Sequence, residues 1–368
     1  MNQNTVWVSF DTMEKFVVDV FKGLGVVEEE AKICADVLIT ADKRGIDSHG
    51  INRLKPFYYD RIKAGIQSPV TQFEIVREGP TTAVVNGHNG MGQVISKKAM
   101  DLAIKKAEKF GMGMFAVKNS THYGIAEYYV MMAVEAGMIG ITGTNARPSI
   151  APTFGVENML GTNPLAFGIP TDEEFPFVLD CATSITQRGK IEVYEREEKQ
   201  IPEGWVIGHD GKPRTGAHQV LKELQRGTVA LMPLGGIGEA SGGHKGYGYA
   251  TVVEILSSAL QGGSFLKMLS GMKNGKRVPC HLGHFFVAIN VSSFIDVESF
   301  KRTTGSILRL LRASKKMPGA NRIYTAGEKE YLARLERKKK GVPLNRKLQK
   351  EMIEMRDELG LTRYEFPF

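Results

Sequence analysis

The chain has 368 residues, 42% hydrophobic and 24% charged, which is enough to bury a sizeable core in two domains or one elaborated domain. The start, MNQNTVWVSFDTMEKF, lacks a basic, apolar and small-residue leader pattern, and no window approaches about 18 uncharged apolar residues, so a cytoplasmic protein with no membrane contact is expected. The formal charge of +8 is concentrated between Lys301 and Lys350, where Glu and Leu interleave at helical spacing; this reads as solvated helix faces, not a nucleic-acid surface.

Three helices open the chain. Ser9 caps the first, whose apolar stripe runs through Phe10, Met13, Phe16, Val17, Val20 and Phe21, and Gly23 ends it. The second spans about Glu28 to Lys43, with Ala31, Cys34, Val37 and Leu38 inward and Gly45 as its stop. Asp47 or Ser48 is expected to cap a third, short helix with His49 in its first turn and Arg53 four residues on, over the same face; Pro56 limits its regularity.

Strands and helices then alternate. Thr81–Val85, Met112–Val117 and Met138–Thr142 read as strands separated by helices at Gln93–Phe110 and Ile125–Ala136, a βαβαβ arrangement that places His122 in a strand-to-helix loop. The middle is richer in strands: Asn163–Ile169, Phe175–Asp180, a hairpin over Gly204–Gly211, and later His284–Ile289. Gly189–Glu198 reads as helix, Asp296 or Ser299 starts another, and Asn345 caps the last. The expected class is α/β (α+β): a central α/β domain over 79–295, with a helical part made from residues 1–78 packing with 296–368.

The stretch Leu234–Gly263 carries seven glycines from Gly235 to Gly248, placed between a short strand at Thr228–Leu234 and an apolar run, Tyr249–Leu260, that reads as a buried helix. The loop brings His244 and Lys245 to a helix start, a favourable seat for phosphate or carboxylate. Its spacing does not make a dinucleotide fingerprint. Gly236-Ile237-Gly238-Glu239-Ala240-Ser241 lacks the third glycine and no helix is expected to start directly through Ser241-Gly242-Gly243, while Gly23-Leu24-Gly25 follows a helix. An ordinary Rossmann unit is therefore not expected.

Several side chains are suited to chemistry. His122, between Thr121 and Tyr123 at a strand end, is placed to exchange a proton with a carbonyl oxygen, or else to anchor its loop. His49 and Arg53 could hold a small carboxylate together; the alternative is a cap and a surface salt bridge to Asp60 or Asp47. His284 follows Cys280 and His281, but positions three apart on a strand face opposite ways, so it reads as a cofactor or substrate contact and no metal is expected. The three cysteines, Cys34, Cys181 and Cys280, are far apart and support no disulfide framework.

Taken together in order, Asp47-Ser48-His49-Gly50 with Arg53 and Tyr58; Ser120-Thr121-His122-Tyr123-Gly124; Leu160-Gly161-Thr162-Asn163-Pro164 with Asp180-Cys181-Ala182-Thr183-Ser184; and Gly243-His244-Lys245-Gly246-Tyr247-Gly248 resemble the type-2 malate/L-lactate dehydrogenase family, over about residues 8–345. The resemblance implies a homodimeric enzyme with a non-Rossmann nicotinamide-binding domain and a mixed sheet, moving a hydride between NAD or NADP and C2 of a small 2-hydroxy or 2-oxo acid. Malate is the first expectation, with lactate, sulfolactate or ureidoglycolate as alternatives. Carried over by motif, His122 is the acid-base, with His49 the other histidine in that role; Arg53 holds the substrate carboxylate, and Tyr58 or His284 lines the same pocket. The cofactor would meet Asn145, Asp180, Cys181, Ala182, Thr183, Ser184, Lys190, His244, Lys245, Gly327 and Glu328. Arg147, Arg188 and Lys190 are candidates for a 2′-phosphate. Many members carry methionine at Cys181 and proline at Ala326, positions where backbone contacts are expected. The competing readings are a nucleotide- or phosphate-binding protein without redox activity, and a basic interaction protein using the C-terminal helices.

Overall fold

The computed structural model describes residues 5–368. Strand β1 (Val6–Val8) leads into α1 (Phe10–Gly23), where the Ser9 hydroxyl accepts the Thr12 N–H at 3.2 Å, and then into α2 (Glu28–Lys43). Met13, Phe16, Val20, Cys34 and Leu38, all at helical spacing, are fully buried between them.

The regular third helix does not form. Residues 47–50 make a turn, Ile51–Arg53 a single 3-10 turn, and Leu54–Tyr59 a π-helical stretch around Pro56, before the short α3 (Asp60–Lys63). His49 therefore precedes the first helical turn instead of lying within it. Neither Asp47 nor Ser48 caps this segment. The cap comes from Asp42 on α2, whose Oδ2 accepts the Ile51 N–H at 2.9 Å.

Next come β2 (Glu74–Glu78), β3 (Thr82–Asn86), α4 (Gly92–Phe110), β4 (Met112–Ser120), α5 (Glu127–Glu135), β5 (Met138–Thr144), β6 (Leu165–Ile169) and β7 (Phe177–Cys181). After α6 (Arg188–Arg196), β8 (Val206–Gly208), α7 (Ala217–Arg226), β9 (Val229–Leu231), α8 (Gly243–Leu256) and the hairpin of β10 (Met272–Lys273) and β11 (Lys276–Arg277), strand β12 (Leu282–Asn290) returns to the sheet. The chain closes with α9 (Val297–Ala313), α10 (Glu328–Lys340), β13 (Val342–Leu344) and α11 (Arg346–Glu358), the last capped by Asn345 accepting the Leu348 N–H at 3.0 Å.

The central sheet is mixed, in the order β2-β3-β4-β12-β5-β6-β7, with β3 and β4 parallel and the other pairs antiparallel. The βαβαβ succession is present in the chain, but β4 and β5 are not neighbours because β12 lies between them. Helices α4 and α5 bury Ile95, Ala103, Tyr129 and Val130 against Val85, Phe115 and Phe286. Every residue of β2 is exposed, so it carries none of the alternation by which a strand is recognised in sequence.

Two expectations about the middle of the chain are corrected. The hairpin expected over 204–211 is shifted and short: the Gly208 N–H donates to the Lys212 carbonyl at 2.9 Å and the Arg214 N–H to the Val206 carbonyl at 3.0 Å around the bridge of Ile207 to Pro213, while the regular partner of β8 is β9, beyond α7 in the chain. Helix α8 does start directly at Gly243, because Gly242 takes a left-handed φ of 84° and a Cβ on Gly246 would lie 2.1 Å from the Leu234 carbonyl oxygen. The Rossmann unit is still absent, since β9 belongs to a two-stranded antiparallel sheet. Nor is α8 buried all round: Tyr249, Val252 and Ile255 are each at least 50% exposed. Gly243, Gly246, Ala250 and Val253 pack inward, and a second apolar side faces out.

The N-terminal helices share one core with the C-terminus. Strand β13 pairs antiparallel with β1, Val6 opposite Leu344, and Leu348, Met352 and Met355 of α11 join the α1–α2 cluster. Phe16 sits at the seam, edge-on to Tyr364 and Phe366 with ring centroids 5.2 and 5.1 Å away. Phe16→Ala is expected to cost about 3–5 kcal/mol in urea unfolding; a loss well under about 1 kcal/mol would show that the two ends do not depend on this packing.

Candidate active site

Strand β4 ends at Ser120, and the next residue fastens the loop: the Thr121 hydroxyl accepts the Gly92 N–H at 3.0 Å and donates to the Gly90 carbonyl at 2.8 Å. This fixes His122, whose Nδ1 lies 2.7 Å from the hydroxyl of buried Tyr58 on the π-helical stretch. A hydroxyl donates when that nitrogen is bare and accepts when it is protonated, so Tyr58 satisfies Nδ1 in either tautomer and leaves Nε2 free to change state. His49 is hydrogen-bonded through its own Nδ1 to the Ser48 hydroxyl at 2.8 Å, and its ring lies nearly parallel to that of His122, 5.8 Å away.

Burial lowers the His49 pKa to about 4. His122 is pushed well below the ordinary histidine range, first by burial and then by the positive groups around it, His49, Arg53 and Arg61 among them. Both rings are neutral near neutral pH. His284, on β12, is fully buried, held through Nδ1 at 2.7 Å from the Thr144 hydroxyl and stacked on Tyr123 at 4.6 Å; burial lowers its pKa to about 3.

Arg53 makes neither of the surface salt bridges considered from sequence. Asp60 is taken by Lys55 at 3.0 Å, and Asp47 by Arg337 at 2.7 and 2.8 Å. The Arg53 Nε instead donates to the Ser48 carbonyl, its guanidinium lies 4.8 Å from the Phe57 ring, and no carboxylate pairs with it among the described residues. A partly buried guanidinium without a counter-ion, beside two neutral imidazoles, is a seat for a small carboxylate.

A cleft of about 660 Å³ opens beside His49 and Ser48. Its other walls are Gly124–Glu127, Asp180, Cys181, Ala182 and Ser184 at the end of β7, and Tyr324–Gly327, tied to β7 by the Val178 N–H donating to the Ala326 carbonyl at 3.3 Å. Within the wall, the Asp180 Oδ2 accepts the Glu127 N–H at 2.8 Å, and Glu127 pairs with Arg44 through both carboxylate oxygens. Burial outweighs these partners, raising the pKa of Glu127 to about 7 and of Asp180 to about 6.

The remaining cofactor candidates do not line the cleft. Thr183 is buried beneath it, donating to the Asn163 carbonyl at 3.0 Å. Asn145 is a fastener, accepting the Gly283 N–H at 2.8 Å and donating to the Ser264 carbonyl at 3.1 Å. Glu328 is 1% exposed, ion-paired with Arg322, and accepts the Thr325 N–H at 3.2 Å. His244 and Lys245 stand exposed on the first turn of α8, and Lys190 is exposed on α6, a turn beyond the wall residue Gln187. Of the 2′-phosphate candidates, Arg188 pairs with Glu192 at 3.0 Å and Arg147 lines a different cavity.

The sequence reading missed Asp42, the Arg44–Glu127 pair and Arg61. Only Arg61 carried a signal, since Arg53, Phe57 and Arg61 recur every four residues, and both guanidiniums lie against the same ring, at 4.8 and 4.6 Å.

A sequence profile described as malate/L-lactate dehydrogenase matches residues 8–353. The chain belongs to this family. It is 44% identical over 361 residues to a malate dehydrogenase of Pyrococcus horikoshii, covering 98% of each chain, and 40% identical to an L-sulfolactate dehydrogenase of Methanocaldococcus jannaschii, covering 95% of this chain and 96% of the relative. The crystal structure of malate dehydrogenase from Entamoeba histolytica superposes with a TM-score of 0.93 at 46% identity, covering 99% of this chain and all of that one. The chain is thus a hydroxy-acid dehydrogenase of a family that uses nicotinamide cofactors.

In this member of the family the turn that carries His49 and Arg53 hangs on Asp42. Gly50 must be glycine for the approach, because a Cβ there would lie 2.0 Å from the Asp42 Oδ1. Burial raises the Asp42 pKa to about 8, so the folded chain holds this proton more tightly than the unfolded chain, whose value is about 3.9. The stabilisation is complete below about pH 4 and is lost as pH rises through about 8. Asp42→Asn keeps a carbonyl oxygen for the Ile51 N–H without the titration. The variant should lose less stability than the wild type between about pH 6 and about pH 9; equal shifts of the urea midpoint would refute this.

Proposed function

We propose that the enzyme interconverts malate and oxaloacetate, with His122 as the acid-base. The observation that supports this most directly is the neutral His122, bonded to Tyr58 and set with an unpaired Arg53 across the Phe57 ring, next to the cleft wall formed by His49 and Gly124. The malate dehydrogenases among its relatives, at 44 and 46% identity, favour malate over the other hydroxy acids.

The cleft suits a nicotinamide dinucleotide in size, and its walls offer the backbone of Asp180–Ala182 and Gly327 to a flat ligand. A bound nicotinamide would accept or supply the hydride. Asp180, Cys181, Ala182, Ser184 and Gly327 would touch the cofactor; Thr183, Asn145 and Glu328 would hold those walls from behind; Lys190, His244 and Lys245 would serve its phosphates from the rim. Either NAD or NADP is accepted in this reading.

The chain's own residues then divide the work. Arg53 clamps the C1 carboxylate and so orients C2. In oxidation the neutral His122, with its own proton on Nδ1 donated to the Tyr58 hydroxyl, takes the substrate's hydroxyl proton on the bare Nε2 as C2 gives up its hydride; in reduction the Nε2 proton returns to the carbonyl oxygen. His49 borders the same space and stays neutral, adding no competing charge. His284 supports Tyr123 under the loop.

The test is nicotinamide absorbance with NAD and NADP in turn, against malate, lactate, sulfolactate and ureidoglycolate. Malate should be turned over, and His122→Asn should cut kcat about a hundredfold to ten-thousandfold with cofactor affinity retained by fluorescence. Because burial lowers the His122 pKa, the acid limb of kcat/KM for oxidation should lie below the ordinary histidine value of about 6.5, while reduction should slow as pH rises. An acid limb above that value, or lost cofactor binding in the variant, would reassign the residue.

We further infer a homodimer that uses the outer face of α8, where Tyr249, Val252 and Ile255 are joined by exposed Leu260, Phe265 and Met268. Light scattering should give twice the chain mass, and Val252→Glu should shift it toward monomer; an unchanged dimer would move the interface elsewhere.

A further inference from the structure

A second cavity, of about 100 Å³, has Thr121, the neighbour of His122, in its wall. The residues just after His122, Gly124–Glu127, wall the cofactor cleft, whereas the residue just before it, Thr121, lines this second cavity together with Pro56. Three separate elements each send one arginine to it: Arg61 from α3, Arg147 from the loop after β5, and Arg277 from β11. No aspartate or glutamate lines the cavity, and none of the three arginines has an ion-pair partner among the described residues.

Guanidinium groups remain protonated at any working pH, so three of them around one small volume repel one another; water screens the exposed Arg147 and Arg277 in part, and an anion between the three relieves the rest. Arg61 feels this crowding. Burial is the largest influence lowering its pKa, and Arg277 and Arg147 push the same way.

Position links this charge to the reaction. The Arg61 guanidinium lies 4.6 Å from the Phe57 ring, that ring lies 4.8 Å from the His122 ring, and Arg53 sits 4.8 Å from the same phenyl. One aromatic side chain therefore separates the arginine assigned to the C1 carboxylate from the cavity with the other three. Size decides what can enter. A water occupies about 30 Å³, so the cavity admits a carboxylate or sulfonate with a water or two and is too small for a nucleotide. Two buried carbonyl oxygens on its wall, Gln67 Oε1 and Asn89 Oδ1, have no donor, so hydrated contents fit better than apolar ones.

We propose that Arg61, Arg147 and Arg277 seat the second anionic group of the substrate, making the enzyme selective for 2-hydroxy acids with an anion on C3, either the C4 carboxylate of a diacid or a sulfonate. This rests on the assignment of C1 to Arg53 given above. It places the selectivity in residues that take no part in hydride or proton transfer.

The test compares oxaloacetate with the monoanionic 2-oxobutyrate at saturating cofactor, in the wild type and in Arg147→Gln and Arg277→Gln, both exposed positions where folding is not at risk. The ratio of kcat/KM for diacid over monoacid should fall about tenfold to a hundredfold in each variant, the range for a lost charged hydrogen bond. A ratio that stays where it was, whether both substrates suffer or neither does, overturns the proposal. Malate against 3-sulfolactate in the wild type identifies which anion the pocket favours. If the wild type turns over no 2-hydroxy or 2-oxo acid, the function proposed above fails, and the pocket is then judged by calorimetric binding of malate against lactate. Tighter malate binding that the Arg147→Gln variant abolishes supports the pocket; equal binding, or none, overturns it.

Discussion

The hydrogen bond between Tyr58 and His122 is the contact on which the site depends, because its two partners belong to different layers. Tyr58 comes from the irregular stretch after the N-terminal helices and His122 from the end of a central strand. The Arg44–Glu127 pair crosses the same junction a short way off, joining the end of α2 to the start of α5. His49 and Arg53 face His122 only while these two layers are docked. The geometry of the proposed proton transfer is thus set by interlayer packing, and on that proposal the seam belongs to the site.

Burial governs the chemistry of the same junction. It keeps His49, His122 and His284 neutral and lifts the carboxyls of Asp42, Glu127 and Asp180 toward or above neutrality. Guanidinium groups answer burial differently, since they keep their proton and must find an anion. Around His122 the arginines are therefore the fixed positive charges, and the imidazoles beside them are uncharged. On the proposed function, an anionic substrate would complete this balance, in keeping with an Arg53 that has no carboxylate of its own among the described residues.

Local signals were the ones legible in the sequence. Ser9 and Asn345 cap their helices as read, Gly111 ends α4 in a left-handed conformation, and the motif at Ser120–Gly124 lies at a strand end beside the cleft. What could not be read depends on partners distant in the chain. Nothing in Leu282–Asn290 says that it inserts between β4 and β5, and nothing near His49 says that its turn is capped by Asp42, which belongs to the preceding helix. The apolar run after Gly248 reads as buried from sequence because hydrophobicity alone does not distinguish a core from an exposed apolar face. The motif residues carried to the cofactor divide in the same way: those at the end of β7 line the cleft, while Asn145 and Glu328 are already engaged within the protein.

The pairing of β1 with β13 has a consequence for biosynthesis. The first helices emerge from the ribosome carrying Met13, Phe16 and Val20 on one face, but the strand and helix that complete their core lie beyond residue 340. The central sheet must likewise wait for β12 before its middle is filled. For most of translation, then, the nascent chain carries an apolar helical pair and a divided sheet. Its folding is in large part a post-synthetic event, and until release the chain depends on whatever shields those surfaces from aggregation.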